Sequence, residues 1–356
     1  MQFNKSSMAA PPTRNNSVMV HEDPDTPRPK VKLWLFVGVL FVIACLAIPA
    51  IGWTALRANN RQHRDPASIA AEERRFALPF TDLRLPHGVA VDAAGGVYVT
   101  DTHTNRVLKL AAGSTSPTVL PFANLDLGAG VVDNSTGGVA VDSAGNVYVV
   151  DTGHAQVLEL AAGSSAQNVL PFRGLSFPKG LAVDGAGAVY VAEGSADRVV
   201  KLAHGAQDQT VLPPLGRGVL PSDVAVDTSG DVYVSVGKSC GRRTCSYLMR
   251  LAPGSNSWTQ LESAGVEQYV AVDTAGAVYV ITSGDTGRVM RRAPGSSDWT
   301  ELPGAPALND PQGLAVDTHG DVYVTDHTGY RSPAKLFGKW AITDDDSDGL
   351  VIKLHS

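Results

Sequence analysis

GVAVDAAGGVYV, residues 88–99, is rewritten five more times along the chain: GVAVDSAGNVYV from Gly138, GLAVDGAGAVYV from Gly180, DVAVDTSGDVYV from Asp223, YVAVDTAGAVYV from Tyr269 and GLAVDTHGDVYV from Gly313. Each copy is a short apolar run ending in Asp, two residues, a Gly, and a second apolar run centred on Val-Tyr-Val. The repeated aspartates, Asp92, Asp142, Asp184, Asp227, Asp273 and Asp317, are 50, 42, 43, 46 and 44 residues apart. A period of that length with several strands per repeat predicts an all-β fold, a six-bladed β-propeller in which each repeat is a four-stranded blade that needs neighbours to bury its faces.

Within a repeat, Asp-x-x-Gly makes the turn of a hairpin: the Asp accepts turn N–H bonds and the Gly takes positive φ. A third run alternates apolar with polar residues, from RVLKL at Arg106 to LVIKL at Leu350, and the period of two marks a strand. A fourth run, TVLPF from Thr118 in its clearest copy, carries a Pro that suits an edge strand. The sixth repeat stops after its third strand, while an orphan FALPF stands at Phe76–Phe80 before repeat one. The N-terminal strand is therefore expected to complete the last blade, so that residues 76–356 form one closed ring.

Leu33–Leu56 is an uncharged run of 24 residues. As a helix it would be about 36 Å long, enough to cross a hydrocarbon core of about 30 Å, and it reads as a transmembrane anchor. A cleaved signal peptide and lipidation at Cys45 are the alternatives. Residues 1–32 have no apolar period and read as a disordered cytoplasmic tail, and residues 57–75 as a charged stem. Basic residues flank the span on both sides, so loop charge does not orient it. The size of the tail and the pair Cys240 and Cys245, read as a disulfide in CGRRTC with two free thiols as the alternative, place the propeller outside the cytoplasm. A net charge of −6 without a basic stripe argues against nucleic acid as partner.

The phrase G-[VL]-A-V-D-x-x-G-x-V-Y-V, followed by R-V-x-K-L and T-V-L-P-F, resembles the NHL repeat. With LAAGS at Leu110–Ser114 and Leu160–Ser164 and the recurring VLPF, it is similar to the extracytoplasmic sensor propellers of mycobacterial receptor serine/threonine kinases. The resemblance covers residues 76–326 and the last strand, and implies a six-bladed propeller that binds a ligand or protein outside the membrane. A kinase domain is not expected, because residues 1–32 hold neither a Gly-rich phosphate loop nor an H-R-D catalytic loop.

An Asp placed identically in every blade answers a need every blade has, so the six turn aspartates are read as structural. Asp101, Asp151, Glu193 and Asp326, after the second strands, are expected to hold loop N–H groups or pair with residues such as Arg106 and Arg198; Val236 and Thr282 stand there in blades four and five. Functional residues are sought where blades differ. On loops entering the first strand these are His87, Lys179, Asp223, Glu267 and Gln312, forming a candidate ligand-binding face. The long insertion Asp326–Gly349 adds Tyr330, Phe337 and Trp340 as aromatic anchors. No cofactor is certain. Asp344, Asp346 and Asp348, in a D-x-D-x-D-G string, form a candidate Ca²⁺ cage that lacks the acidic twelfth position. His87, His103, His154 and His327 form a candidate Zn²⁺ sector, for which the His-bound zinc of the peptidyl-hydroxyglycine amidating lyases offers a comparison.

The sequence thus predicts a single-pass membrane protein whose extracytoplasmic propeller binds a ligand or protein of the cell envelope as a sensor-like or scaffolding module. The alternative is a metal-dependent propeller lyase or hydrolase using loop His or Asp residues. No nucleophile with an attendant base is visible in the chain.

Overall fold

Every copy of the phrase folds as a hairpin, and its Asp is the reason. Asp92 accepts the N–H groups of Ala94 at 3.0 Å and Gly96 at 2.7 Å on Oδ1, while Oδ2 accepts the Tyr98 hydroxyl at 2.9 Å. The same three-point bond recurs around Asp142, Asp184, Asp227, Asp273 and Asp317. The Gly of each turn has φ between +79° and +91°, a conformation that side chains disfavour. The central Tyr is therefore more than strand filler: it is buried, and its hydroxyl finds its partner in the turn carboxylate. Asp273→Ala is expected to cost about 2–3 kcal/mol, because two turn N–H groups and the Tyr279 hydroxyl lose an acceptor together; urea unfolding reads the loss.

The computed structural model describes residues 75–128, 137–241, 243–262, 264–283, 287–328 and 348–355. They form five four-stranded antiparallel sheets and one three-stranded sheet, each a meander in chain order. The first strands are Pro86–Val91, Val139–Val141, Pro178–Val183, Val219–Val226, Val266–Val272 and Pro311–Val316. The outer strands are only two or three residues long, such as Thr118–Val119, and so present little exposed edge. Six apolar clusters hold the ring, one at each junction between neighbouring blades.

Blade six has three strands of its own, Pro311–Val316, Val322–Thr328 and Asp348–Leu354. Its fourth position is taken by the N-terminal segment. Ala77 bridges to Ile352, Leu78 N–H donates to Val351 O at 2.7 Å, and Lys353 N–H donates to Phe76 O at 3.0 Å. Phe76 packs into the cluster between blades five and six, and Leu78 and Phe80 into the cluster between blades six and one. The contact is one bridge flanked by two bonds rather than a full strand, because Pro79 interrupts the ladder.

The expected tail, transmembrane segment and most of the stem, residues 1–74, lie outside the described residues; among the described residues no helix is long and apolar enough to cross a membrane.

Two expectations change in detail. Cys240 and Cys245 are bonded, with Cα atoms 5.8 Å apart, but not across a small loop. The second and third strands of blade four run on to Cys240 and from Arg243, in the register Lys238↔Cys245 and Cys240↔Arg243, so the disulfide crosses a hairpin that projects from the blade. Likewise the insertion in blade six is shorter than Asp326–Gly349. His327 pairs with Gly349 and Thr328 with Asp348, which moves Asp348 into a strand.

Candidate site at the channel mouth

The first strands start on the face where blades exchange loops, and there they converge on the central channel. In blades one, two, three and six a glycine stands at the closest approach. A Cβ on Gly88 would lie 2.6 Å from Gly137 O, on Gly138 2.5 Å from Lys179 O, and on Gly180 2.5 Å from the Asp223 Cα; Gly313 is closer still to His87 O. In each case the obstacle is the backbone of the next blade, so glycine is required there. In blades four and five the same register positions hold Asp223 and Tyr269.

These two side chains tie the mouth together on one side. Asp223 Oδ1 accepts Val224 N–H at 2.9 Å and Oδ2 accepts Val270 N–H at 3.0 Å, bridging blades four and five. The Tyr269 hydroxyl donates to Gln312 Oε1 at 3.1 Å, and Gln312 Nε2 donates to Asp310 O at 3.3 Å, bridging blades five and six. Burial pushes the Asp223 carboxyl up to about 7, against two backbone bonds that act the other way. It therefore titrates near neutrality, able to donate a hydrogen bond when protonated and to attract a cation when ionised.

The mouth encloses a volume of about 70 Å³. Organic ligands occupy pockets of about 300–1,000 Å³, so this one has room for a few waters only, and a larger molecule would lie across the mouth rather than inside it. Beside it stands the disulfide-bonded hairpin of blade four, with Lys238, Ser239 and Cys240 exposed at its end. Leu220, on the elongated first strand of that blade and paired with Gly237, is 45 % exposed.

The other candidates fall in different places. Lys179 reaches the mouth with its backbone, but its side chain is buried against Gly194, with the ammonium 5.2 Å from the centre of the Phe177 ring. Gln312 is buried and bonded as above. Glu267 lies in the first strand of blade five, opposite Thr282. Tyr330, Phe337, Trp340, Asp344 and Asp346 lie outside the described residues.

The histidine sector separates in two. His87 and His327 are buried at the junction of blades one and six, their ring centres 5.3 Å apart and edge to face. His327 Nε2 meets Pro86 O at 3.1 Å, and its Nδ1 lies 3.3 Å from Asp310 Oδ2. Burial, then the neighbouring His327, holds the His87 imidazole well below its ordinary pKa. His103 and His154 are instead exposed, and His154 Nδ1 is bonded to Asp151 at 3.0 Å. Among the described residues no three His, Cys, Asp or Glu side chains are grouped to hold a metal.

The acids after the second strands serve the fold. Asp101 accepts Arg84 N–H and the Arg106 guanidinium, Glu193 accepts Ser176 N–H and the Arg198 guanidinium, and Asp326 accepts the N–H groups of Asn309 and Asp310. All four, Asp151 included, are fully buried. Tyr269 was not among the residues singled out by the sequence, although a bulky side chain at a repeat glycine is a legible signal.

Residues 83–110 and 308–331 match the NHL repeat. A segment of 100 residues is 43% identical to the serine/threonine-protein kinase PknD of Mycobacterium tuberculosis, covering 27% of this chain and 14% of the kinase. Among solved structures, the fold is similar to the gluconolactonase XC5397 of Xanthomonas campestris, at 15% identity over 70% of this chain and 85% of that one, with a TM-score of 0.53. It is also similar to a chain of a nidogen/laminin complex, at 18% identity over 61% and 79%, with a TM-score of 0.51. At such identities the likeness is one of fold.

Proposed function

We propose that this six-bladed propeller of NHL repeats is the binding module of a single-pass membrane protein, displayed outside the cytoplasm, whose partner is a protein or other ligand of the cell envelope seated across the channel mouth over blades four to six. The observation that carries the reading is the replacement of two ring glycines by Asp223 and Tyr269 in adjacent blades. The fold asks for glycine there four times; in blades four and five an acid and an aromatic stand instead, which tie neighbouring blades through Val270 N–H and Gln312 and also give this side of the mouth a chemistry that the other blades lack. The uncharged run Leu33–Leu56, the disulfide and the partial match to PknD support the membrane and extracytoplasmic parts. Phosphoryl transfer is not carried over, since the aligned segment is 14% of the kinase.

Photo-crosslinking of the full chain in intact cells, through a probe placed at Leu220, tests the reading. The Asp223→Asn, Tyr269→Phe double variant keeps both side-chain volumes and the buried ring and is expected to stay folded while losing at least about tenfold in captured partner, equivalent to about 1.4 kcal/mol. Capture unchanged by the double variant would sink the proposal. Metal analysis of the same protein separates it from the lyase or hydrolase alternative: stoichiometric zinc or calcium, lost on substitution of His87 or Asp346, would favour the enzyme.

A further inference from the structure

The third strand of every blade but one ends in a buried leucine: Leu110, Leu160, Leu202, Leu251 and Leu354, each opposite the first Val of Val-Tyr-Val. In blade five the residue in that register, opposite Val278, is Arg292. It does not do the work of the basic residue that precedes it. Lys109, Lys201 and Lys353 lie over the tyrosines of their own blades, and in blade five that place is taken by Arg291, over Tyr279. Arg292 is a second, additional cation. A leucine there would bury apolar area, which makes the arginine a loss to the fold unless something else uses it.

Arg292 lines a groove between blades four and five on the face opposite the channel mouth, where the Asp-x-x-Gly turns lie. The groove has a volume of about 510 Å³, within the range of about 300–1,000 Å³ typical of small-molecule sites. The corresponding groove between blades six and one, of about 420 Å³, has Leu110 where this one has Arg292. Ser229, Asp231, Arg250, Ser296 and Ser297 supply polar groups around it, over a floor of Leu261 and Val278. Arg250 is already committed to Asp231 through two bonds of 3.0 and 2.8 Å. Arg292 donates through Nε to Ser296 O and rests 6.0 Å from the centre of the Trp299 ring, which fixes its plane, and among the described residues no acceptor takes its two terminal nitrogens.

The geometry points to a second binding site in this groove, for a small polyhydroxylated anion, a sugar acid or sugar phosphate, whose charged group pairs with the Arg292 guanidinium. A planar guanidinium held by one bond and one ring is suited to a carboxylate or phosphate. The lining carboxylates, Asp227 and Asp231, are held by their own turn and by Arg250, and the serine hydroxyls beside them match a ligand rich in hydroxyl groups better than an apolar acid.

Saturation-transfer NMR on the full chain in detergent tests the site with three probes: glucuronate, glucose 6-phosphate and neutral glucose. Transfer to one or both anions but not to glucose is expected, and which anion responds tells carboxylate from phosphate. Arg292→Leu restores the residue of the other blades and so is expected to fold at least as well while weakening the anion by about tenfold or more; Arg292→Lys is expected to keep part of the binding. Equal transfer to glucose, no transfer to either anion, or binding unchanged in Arg292→Leu would overturn the site. A lowered melting temperature in Arg292→Leu, without any anion effect, would show that Arg292 serves only to pack on Trp299.

Discussion

Deleting residues 1–81 is expected to unfold the propeller, whereas deleting residues 1–74 leaves it folded. The difference is the segment that fills the fourth position of blade six. It contributes the partly buried Phe76, Leu78 and Phe80 to two junctions, and two backbone bonds to the third strand of that blade. Half-burying three large apolar side chains contributes about 3 kcal/mol and the bonds about 1–2 more, against a total stability of about 5–15 kcal/mol for a domain. The loss also bares the edge of Asp348–Leu354, a strand that would then be open to pairing with other molecules. Size-exclusion chromatography and urea unfolding of the two truncated proteins decide the matter. A cooperative transition of residues 82–356 at nearly the same urea concentration would show that blade six closes without its N-terminal strand.

Acid acts on the ring through two groups of opposite sign. His87 is buried with its pKa held well below the ordinary value, so below about pH 6.5 the unfolded chain takes up a proton that the folded chain refuses. Stability then falls by about 1.4 kcal/mol for each further pH unit, down to the folded pKa. Asp223 works the other way. Its folded pKa is raised to about 7, so between about pH 4 and 7 the folded state holds the extra proton and stability falls as pH rises. Its partial contact with channel water reduces that contribution to about 1–2 kcal/mol. The two offset one another, and the wild-type profile between pH 4.5 and 7 is expected to be shallow. The variants separate them. Relative to wild type, His87→Gln is expected to gain about 2 kcal/mol on going from pH 7 to about 4.5, and Asp223→Asn to lose about 1–2 over the same interval. Urea unfolding of the three proteins at both pH values gives these differences free of the other carboxylates. Parallel profiles for all three would mean that neither group changes its protonation in this way.

What the sequence reveals of this fold is what every blade must do alike. The period of the aspartates, the Asp-x-x-Gly turn and the orphan FALPF all answer geometric demands that repeat around a ring, and each stands in the structure where the pattern puts it. The turn carboxylate was legible as an acceptor, but its bond to the Tyr hydroxyl was not. That bond joins residues six apart across a hairpin, and the tyrosine reads equally well as an apolar filler. Less legible still is where a loop gives way to a strand. VGKSC carries no alternation of apolar and polar residues, so the projection of Cys240 beyond blade four appears only in its pairing. The histidines show the limit of grouping by loop. His103 and His154 follow second strands, as His327 does, but His327 is drawn into the lengthened strand that pairs with Gly349 and is buried against His87. Tyr269 and Arg292 are a different case: both break the repeat, at a glycine and at a leucine. They become visible only when the pattern is read for its exceptions as closely as for its consensus.

The N-terminal segment also decides how the protein bears a load. It runs antiparallel to Asp348–Leu354, so the described chain enters the ring on the face of the Asp-x-x-Gly turns, opposite the channel mouth. A partner pulling on the mouth while the N-terminus is fixed would draw Phe76–Leu78 along the strand axis, stressing its backbone bonds and its buried side chains together instead of one after another. Blade six is then the point at which tension enters the molecule, and the closing strand sets the force at which the ring would open.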